Sequence, residues 1–149
     1  MKNAQINIYQ FIIGLLTFLF GLLIYILHRV DKNILHGLYY EKFYLQFGNY
    51  FPDFIHPFSF TLITCSFLSS RLTNIILVSA GWLIFDILME LGQKYSGKVI
   101  IFIYRYFEMI PFIDFLVNYF SIGIYDSLDL FFIIFGSLFG FLIAYLTKI

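Results

Sequence analysis

Apolar residues run almost unbroken through four stretches of the chain, and polar residues collect between them. Residues 8–27 carry no charge and end at His28-Arg29. A helix needs about 20 predominantly apolar residues to cross a bilayer core, so this stretch predicts a first span. It is longer than a signal-peptide core and no small-residue cleavage site follows it, which makes it a retained helix. A second span is predicted over 54–70, closed by Arg71. Asp53 stands where an N-cap would accept the first free amides. Pro57 is tolerated in a first turn, whose amides have no intrahelical partner to lose. A third span is predicted over 73–91, with only Ser70-Arg71-Leu72 between, so the two form a tight antiparallel hairpin. The fourth covers 128–146 and is followed by Lys148.

Two connections are long and mixed, 29–52 and 92–125. A fifth span over 99–120 would bury Arg105, Glu108 and Asp114, each costing about 2.5–3.5 kcal/mol on insertion scales. Amphipathic helices lying in the interface suit both connections better, and their Tyr and Phe content fits the headgroup boundary. The expected fold is therefore all-α. It is a polytopic membrane protein built as a four-transmembrane-helix bundle with two interfacial connecting segments. No internal repeat or linker divides the chain, so residues 1–149 read as a single transmembrane domain.

Composition agrees. The 149 residues are 61% hydrophobic and 12% charged, with 21 Phe and 12 Tyr, whereas a soluble domain carries about 25% charged residues. That excludes a soluble enzyme, a secreted disulfide scaffold and a disordered chain. Nine Lys and Arg balance nine Asp and Glu, so no net field recruits nucleic acid. The single cysteine, Cys65, can form neither an intrachain disulfide nor a structural zinc site, and reads as a small buried hydrophobe. No P-loop, nucleophile elbow, dinucleotide fingerprint or zinc motif is present, and no metal or other cofactor is expected.

Four alternating spans sort the remaining polar residues by membrane side. Side A holds the N-terminus, the Arg71 turn and Lys148; side B holds both long connections. Arg29, Lys32, Lys42, Lys94, Lys98 and Arg105 fall on side B, against Lys2, Arg71 and Lys148 on side A. The positive-inside rule on those residues would place side B in the cytoplasm, but acids interleave with the basic residues, so both orientations stay open. Near side A the spans are expected to carry no polar group beyond hydroxyls.

The polar residues of the spans all fall at side B. His56 opens the second helix, Asp86 and Glu90 close the third with Gln93 just beyond, and Asp126 and Asp129 open the fourth. His28 ends the first. Asp86 and Glu90 share a helical face at four residues apart; Glu90 with Gln93, and Asp126 with Asp129, share one at three apart. Asp86 lies roughly 7 Å inside its helix end at 1.5 Å per residue. Carboxylates at that depth are functional candidates with partners in the bundle interior. Acids sharing a site repel, so a proton, His56 or a cation is expected among them. Simpler roles stand beside this one. Asp126 can be an N-cap with Asp129 at the third position, stabilising the helix dipole. His56 can be satisfied by backbone, and Glu90 with Gln93 can form a solvated helix end. Gly136 and Gly140, with Ala144 four further on, let a partner helix approach closely, within the bundle or at a dimer face. Gly14 and Gly21 are their expected counterparts on the first helix.

These side B residues resemble a known pattern. His56 near the start of the second helix, Glu90-Leu91-Gly92-Gln93 ending the third, and Asp126-Ser127-Leu128-Asp129-Leu130 leading to Gly136 and Gly140 resemble the VanZ-like family. In those small bacterial membrane proteins a His, an E-x-x-Q and a D-x-x-D followed by glycines recur in this order. The stretch Asn118-Tyr119-Phe120-Ser121-Ile122-Gly123-Ile124-Tyr125-Asp126 is also similar to a group of bacterial inner-membrane proteins. The resemblance covers about residues 53–146 and implies a multi-pass protein of a bacterial inner membrane. Three roles follow as expectations. In the first, the polar cluster binds a polar envelope or lipid-linked ligand. In the second, the chain is a non-enzymatic accessory subunit, docking a protein partner or a second copy of itself. The third, a proton or ion path, lacks a second acidic layer near side A. A His with several carboxylates also suffices for acid–base catalysis, so an enzymatic role stays among the expectations.

Overall fold

The computed structural model describes residues 6–30, 41–111 and 113–148, with the side chains of 28–30, 41–47 and 49 outside the description. The side chain of His28, expected at the side B rim, and residues 31–40 of the first connection thus lie outside the description. Six helices follow one another: α1 (Ile8–Val30), α2 (Glu41–Ser66), α3 (Leu72–Lys94), α4 (Ser96–Phe107), α5 (Ile113–Ile122) and α6 (Ser127–Leu146). No strand occurs among the described residues. Three stretches are long and apolar enough to cross a membrane: Ile8–Leu27, Leu72–Lys94 and Ser127–Leu146.

The second helix differs most from expectation. It begins at Glu41, so Asp53 lies inside it and does not cap it, and Pro52 and Pro57 are both internal. Packing carries the helix through its prolines. Phe51 meets Phe20 of α1 edge to face at 5.9 Å, and Tyr50 stacks on Phe132 of α6 at 5.3 Å. Each proline lacks the N–H its helix would use, which leaves the Gly48 and Asp53 carbonyls without that partner. The helix also stops earlier than expected, at Ser66. The turn to α3 is closed by Leu68 N donating to Cys65 O at 3.1 Å, and Asn74 Nδ2 donates to Ser69 O and Oγ at 3.0 and 2.7 Å.

α2 is the central helix, and glycines set its distance to both neighbours. A Cβ on Gly14 or Gly21 of α1 would meet Ser59 O at 2.9 Å or Ile55 Cγ2 at 2.6 Å. One on Gly136 of α6 would collide with the Phe54 carbonyl, and one on Gly140 would meet Phe58 O at 3.1 Å. The two glycine pairs thus face the same helix and not each other. The core beneath these contacts is Phe58, Leu62, Cys65, Ile75 and Ala144, with Phe54, Val78, Phe141 and Ile143 packed around it. Cys65 is buried there. Ser137 Oγ donates to Ser79 O at 3.1 Å, tying α6 to α3, and Trp82 Nε1 donates to Thr64 Oγ1 at 3.1 Å, tying α3 to α2.

Side A is not purely apolar, contrary to the reading from sequence. Asn7 N donates to Ser66 O at 2.9 Å and its Nδ2 to Thr147 O at 2.8 Å. Gln10 Nε2 donates to Ala144 O and Thr147 Oγ1, both at 3.0 Å. A neutral side chain inside an apolar run escapes a search for charges, yet these two fasten the start of α1 to the ends of α2 and α6.

Between α3 and α6 the chain forms two short helices instead of a span. At 12 and 10 residues α4 and α5 are roughly 18 and 15 Å long, too short for a core of about 30 Å. They close on a small cluster of Ile103, Ile113 and Phe120 that also takes in Met89 of α3. Arg105, Glu108 and Asp114 are all exposed. Gly92 admits this hairpin, since a Cβ there would collide with the Phe120 ring.

Candidate functional site

Four helices bring the polar residues together at the side B end. His56 of α2 and Asp86 of α3 form the central pair, with Nδ1 at 2.9 Å from Oδ1 and 3.1 Å from Oδ2. A carboxylate only accepts, so Nδ1 carries the proton and Nε2 faces away from the acid. The imidazole is wedged by rings, 4.5 Å from Phe60 and 5.8 Å from Trp82. Asp86 is 8% exposed and Glu90, one turn on, 5%.

Glu90 reaches across to the start of α6. Its Oε1 accepts the Asp126 N–H at 3.1 Å; Oε2 has no donor among the described residues. Asp126 is the N-cap of α6, its Oδ1 accepting from Leu128 N at 3.0 Å. Its Oδ2 accepts from the Tyr50 hydroxyl at 3.0 Å. That bond to a carboxylate, with burial second, holds the Tyr50 phenol above the ordinary tyrosine range. Asp129, at the third position of α6, lies close to Asp53 of α2, so two carboxyl groups from different helices face each other here.

Gln93 stands apart. Its Nε2 donates to the Tyr119 hydroxyl of α5 at 2.8 Å, so it fastens the short hairpin to the end of α3. Burial raises the Tyr119 phenol above its ordinary range, while the Gln93 bond opposes the shift. Gly123 gives this contact room, since a Cβ there would meet the Gln93 amide at 2.6 Å.

Beside the pair lies a half-open cavity of about 390 Å³ between α1, α2, α3 and α5. Asp53, His56, Asp86 and Glu90 line its polar end. The walls are apolar, from Phe18 and Leu22 of α1, Phe85 and Met89 of α3, Phe115 and Leu116 of α5, and Ile133 of α6. Of the six polar residues expected at the site, His56, Asp86 and Glu90 reach the cavity. Asp126 and Asp129 sit behind it, and Gln93 holds its flank. Among the described residues no three His, Cys, Asp or Glu gather as metal ligands would.

Asp53 was missed as a site residue because it reads as a cap, and Tyr50 and Tyr119 because interfacial tyrosines are common. One signal for Asp53 was present: it lies three residues before His56, hence on the same helical face. No family model, curated protein or solved structure matches the chain.

Proposed function

We propose that this chain is a four-span membrane protein of the VanZ-like type that takes a polar envelope or lipid-linked ligand into the cavity beside His56 and Asp86. The observation that carries the reading is the cavity itself, with four ionisable residues at one end and apolar walls elsewhere. Its volume falls within the roughly 300–1,000 Å³ of small-molecule sites. Three helices meet the length and apolarity a span requires, and in this reading the fourth crossing runs over 54–70, from the C-terminal half of α2 into the turn that follows it. Side B, with the larger share of basic residues, faces the cytoplasm of a bacterial inner membrane. α4 and α5 then lie at the headgroup level, where their exposed rings and charges both find partners.

Such a role separates binding from folding. Asp86→Asn, Glu90→Gln and Asp129→Asn are near-isosteric and are expected to insert and fold normally yet lose the ligand. Lipids that co-purify with wild type and with each variant, identified by mass spectrometry, provide the test. If all three variants retain the wild-type profile, the cavity is not the binding site.

A further inference from the structure

We infer that the cavity opens sideways into the side B leaflet and takes a bilayer lipid head first, its acyl chain staying outside in the membrane; this deepens, and rests on, the ligand-binding reading above. The argument is the direction in which polarity and exposure change together across the lining. Glu90 and Asp86 are 5% and 8% exposed, and the His56 side chain is half-buried. Leu22, Phe85 and Phe115, which line the same cavity, are 42%, 47% and 73% exposed. The polar groups therefore stand at the back, and apolar side chains form the lips. Lips of Leu and Phe are stable against hydrocarbon and costly against water.

The placement of the lips agrees. Leu22 and Phe85 belong to two helices long and apolar enough to cross a membrane. α1 and α3 each pack on α2, which supplies Ile55 and His56 to the floor of the slot between them. On α1 the lining runs from Phe18 to Tyr25, and on α3 from Phe85 to Glu90. Phe18 and Phe85 each stand nine residues before the ends of their spans, at Leu27 and Lys94, roughly 14 Å at 1.5 Å per residue. That is close to half of a hydrocarbon core of about 30 Å, so the slot has the height of one leaflet. A lipid of that leaflet already has its chain alongside the lips. Moving sideways, it brings its head to His56 and Glu90 while the chain stays in hydrocarbon. A route through water would expose every methylene of that chain. The carboxyl oxygens and the imidazole then hydrogen-bond the head.

The full-length chain in nanodiscs of phosphatidylethanolamine and phosphatidylglycerol tests this by native mass spectrometry. Wild type is expected to retain one lipid per chain. Leu22→Trp, which fills the lips, is expected to lower that retention at least tenfold. Leu23→Trp, at an exposed neighbouring position outside the lining, is expected to stay within twofold of wild type. The retained lipid is then exchanged for the same lipid carrying pyrene at its chain end or on its head. The chain-end label is expected to bind within threefold of the unlabelled lipid, and the head label at least tenfold more weakly. Phosphoethanolamine and glycerol phosphate, which are heads without chains, are expected to displace nothing at hundredfold excess. Helical circular dichroism and melting confirm that each variant is folded. Equal loss in both Trp variants, or loss in neither, marks a lipid held elsewhere on the bundle and overturns the sideways mouth; loss from Asp86→Asn or Glu90→Gln in that case keeps the binding reading. Displacement by a chainless head overturns entry from the lipid and leaves the binding reading standing. A tolerated head label with an excluded chain-end label overturns the head-first orientation and also leaves that reading standing. Neither a retained lipid nor a bound head overturns both.

Discussion

The two ends of the same bundle use polar residues in opposite ways. At side A, Asn7 and Gln10 donate to Ser66 O, Thr147 O, Ala144 O and Thr147 Oγ1. These are neutral donors on acceptors at helix ends. At side B the groups are ionisable, they answer each other across three helices, and a cavity opens beside them. A helix end that has only to be closed is closed most cheaply by amides, because no ion need be desolvated. Buried carboxylates are the expensive choice, and their presence at one end is what the proposed ligand site would explain.

The comparison can be broken by substitution, and the largest effect is expected from the frame that both ends share. Gly136→Leu would drive a side chain into the Phe54 carbonyl. Overpacking costs about 1–3 kcal/mol, and more where backbone must move, so melting in detergent should fall sharply. Gly81→Leu, with nothing within 4 Å of its Cβ, should leave melting unchanged; a similar loss in both would refute the close approach of α6 and α2.

Gln10→Ala removes two neutral hydrogen bonds at about 0.5–1.5 kcal/mol each. Melting should drop while the profile of co-purifying lipids stays as in wild type. Asp86→Asn should do the reverse. A hydrogen bond to a charged group contributes about 1.5–3 kcal/mol, but the His56 side chain is 38% exposed, so screening brings the stability loss to about 1 kcal/mol. The co-purifying lipid should fall at least tenfold. If both variants lose binding equally, the division between the two ends is wrong.

The smallest effect is expected at Tyr50. Its raised phenol is an acid favoured in the neutral form by the folded state. The stabilisation is therefore complete below the unfolded tyrosine value of about 10, and is lost as pH rises through the higher folded value. Ultraviolet titration should show one tyrosine ionising late, and Tyr50→Phe should remove that step. An unchanged titration curve would mean the Asp126 contact does not form.

Much of this was legible along the chain, and the misses share a cause. Spans expected at 8–27, 73–91 and 128–146 correspond to α1, α3 and α6, because a continuous apolar run has little alternative in lipid. Residues 41–53 are mixed and contain Pro52, so local signals end the helix there. Rings of α1 and α6 extend it, and no local pattern contains them. Asp53 changed from a cap to a member of the carboxyl pair by that one difference. Gln10 was passed over because a neutral amide does not interrupt an apolar run.

A helical chain, three long apolar stretches suited to a membrane, and acids gathered with His56 at one end are all readable from the residues alone. Those properties follow from the composition of each helix and the alternation of direction between neighbours. That His56 meets Asp86, that Glu90 takes the Asp126 amide, and that Asp53 lies close to Asp129 emerge from the packed helices and from nothing local. Pairing at 3 Å depends on how each helix is rotated and how closely it approaches. Here Gly14, Gly21, Gly136 and Gly140 set that approach around α2, through contacts between residues distant in the chain.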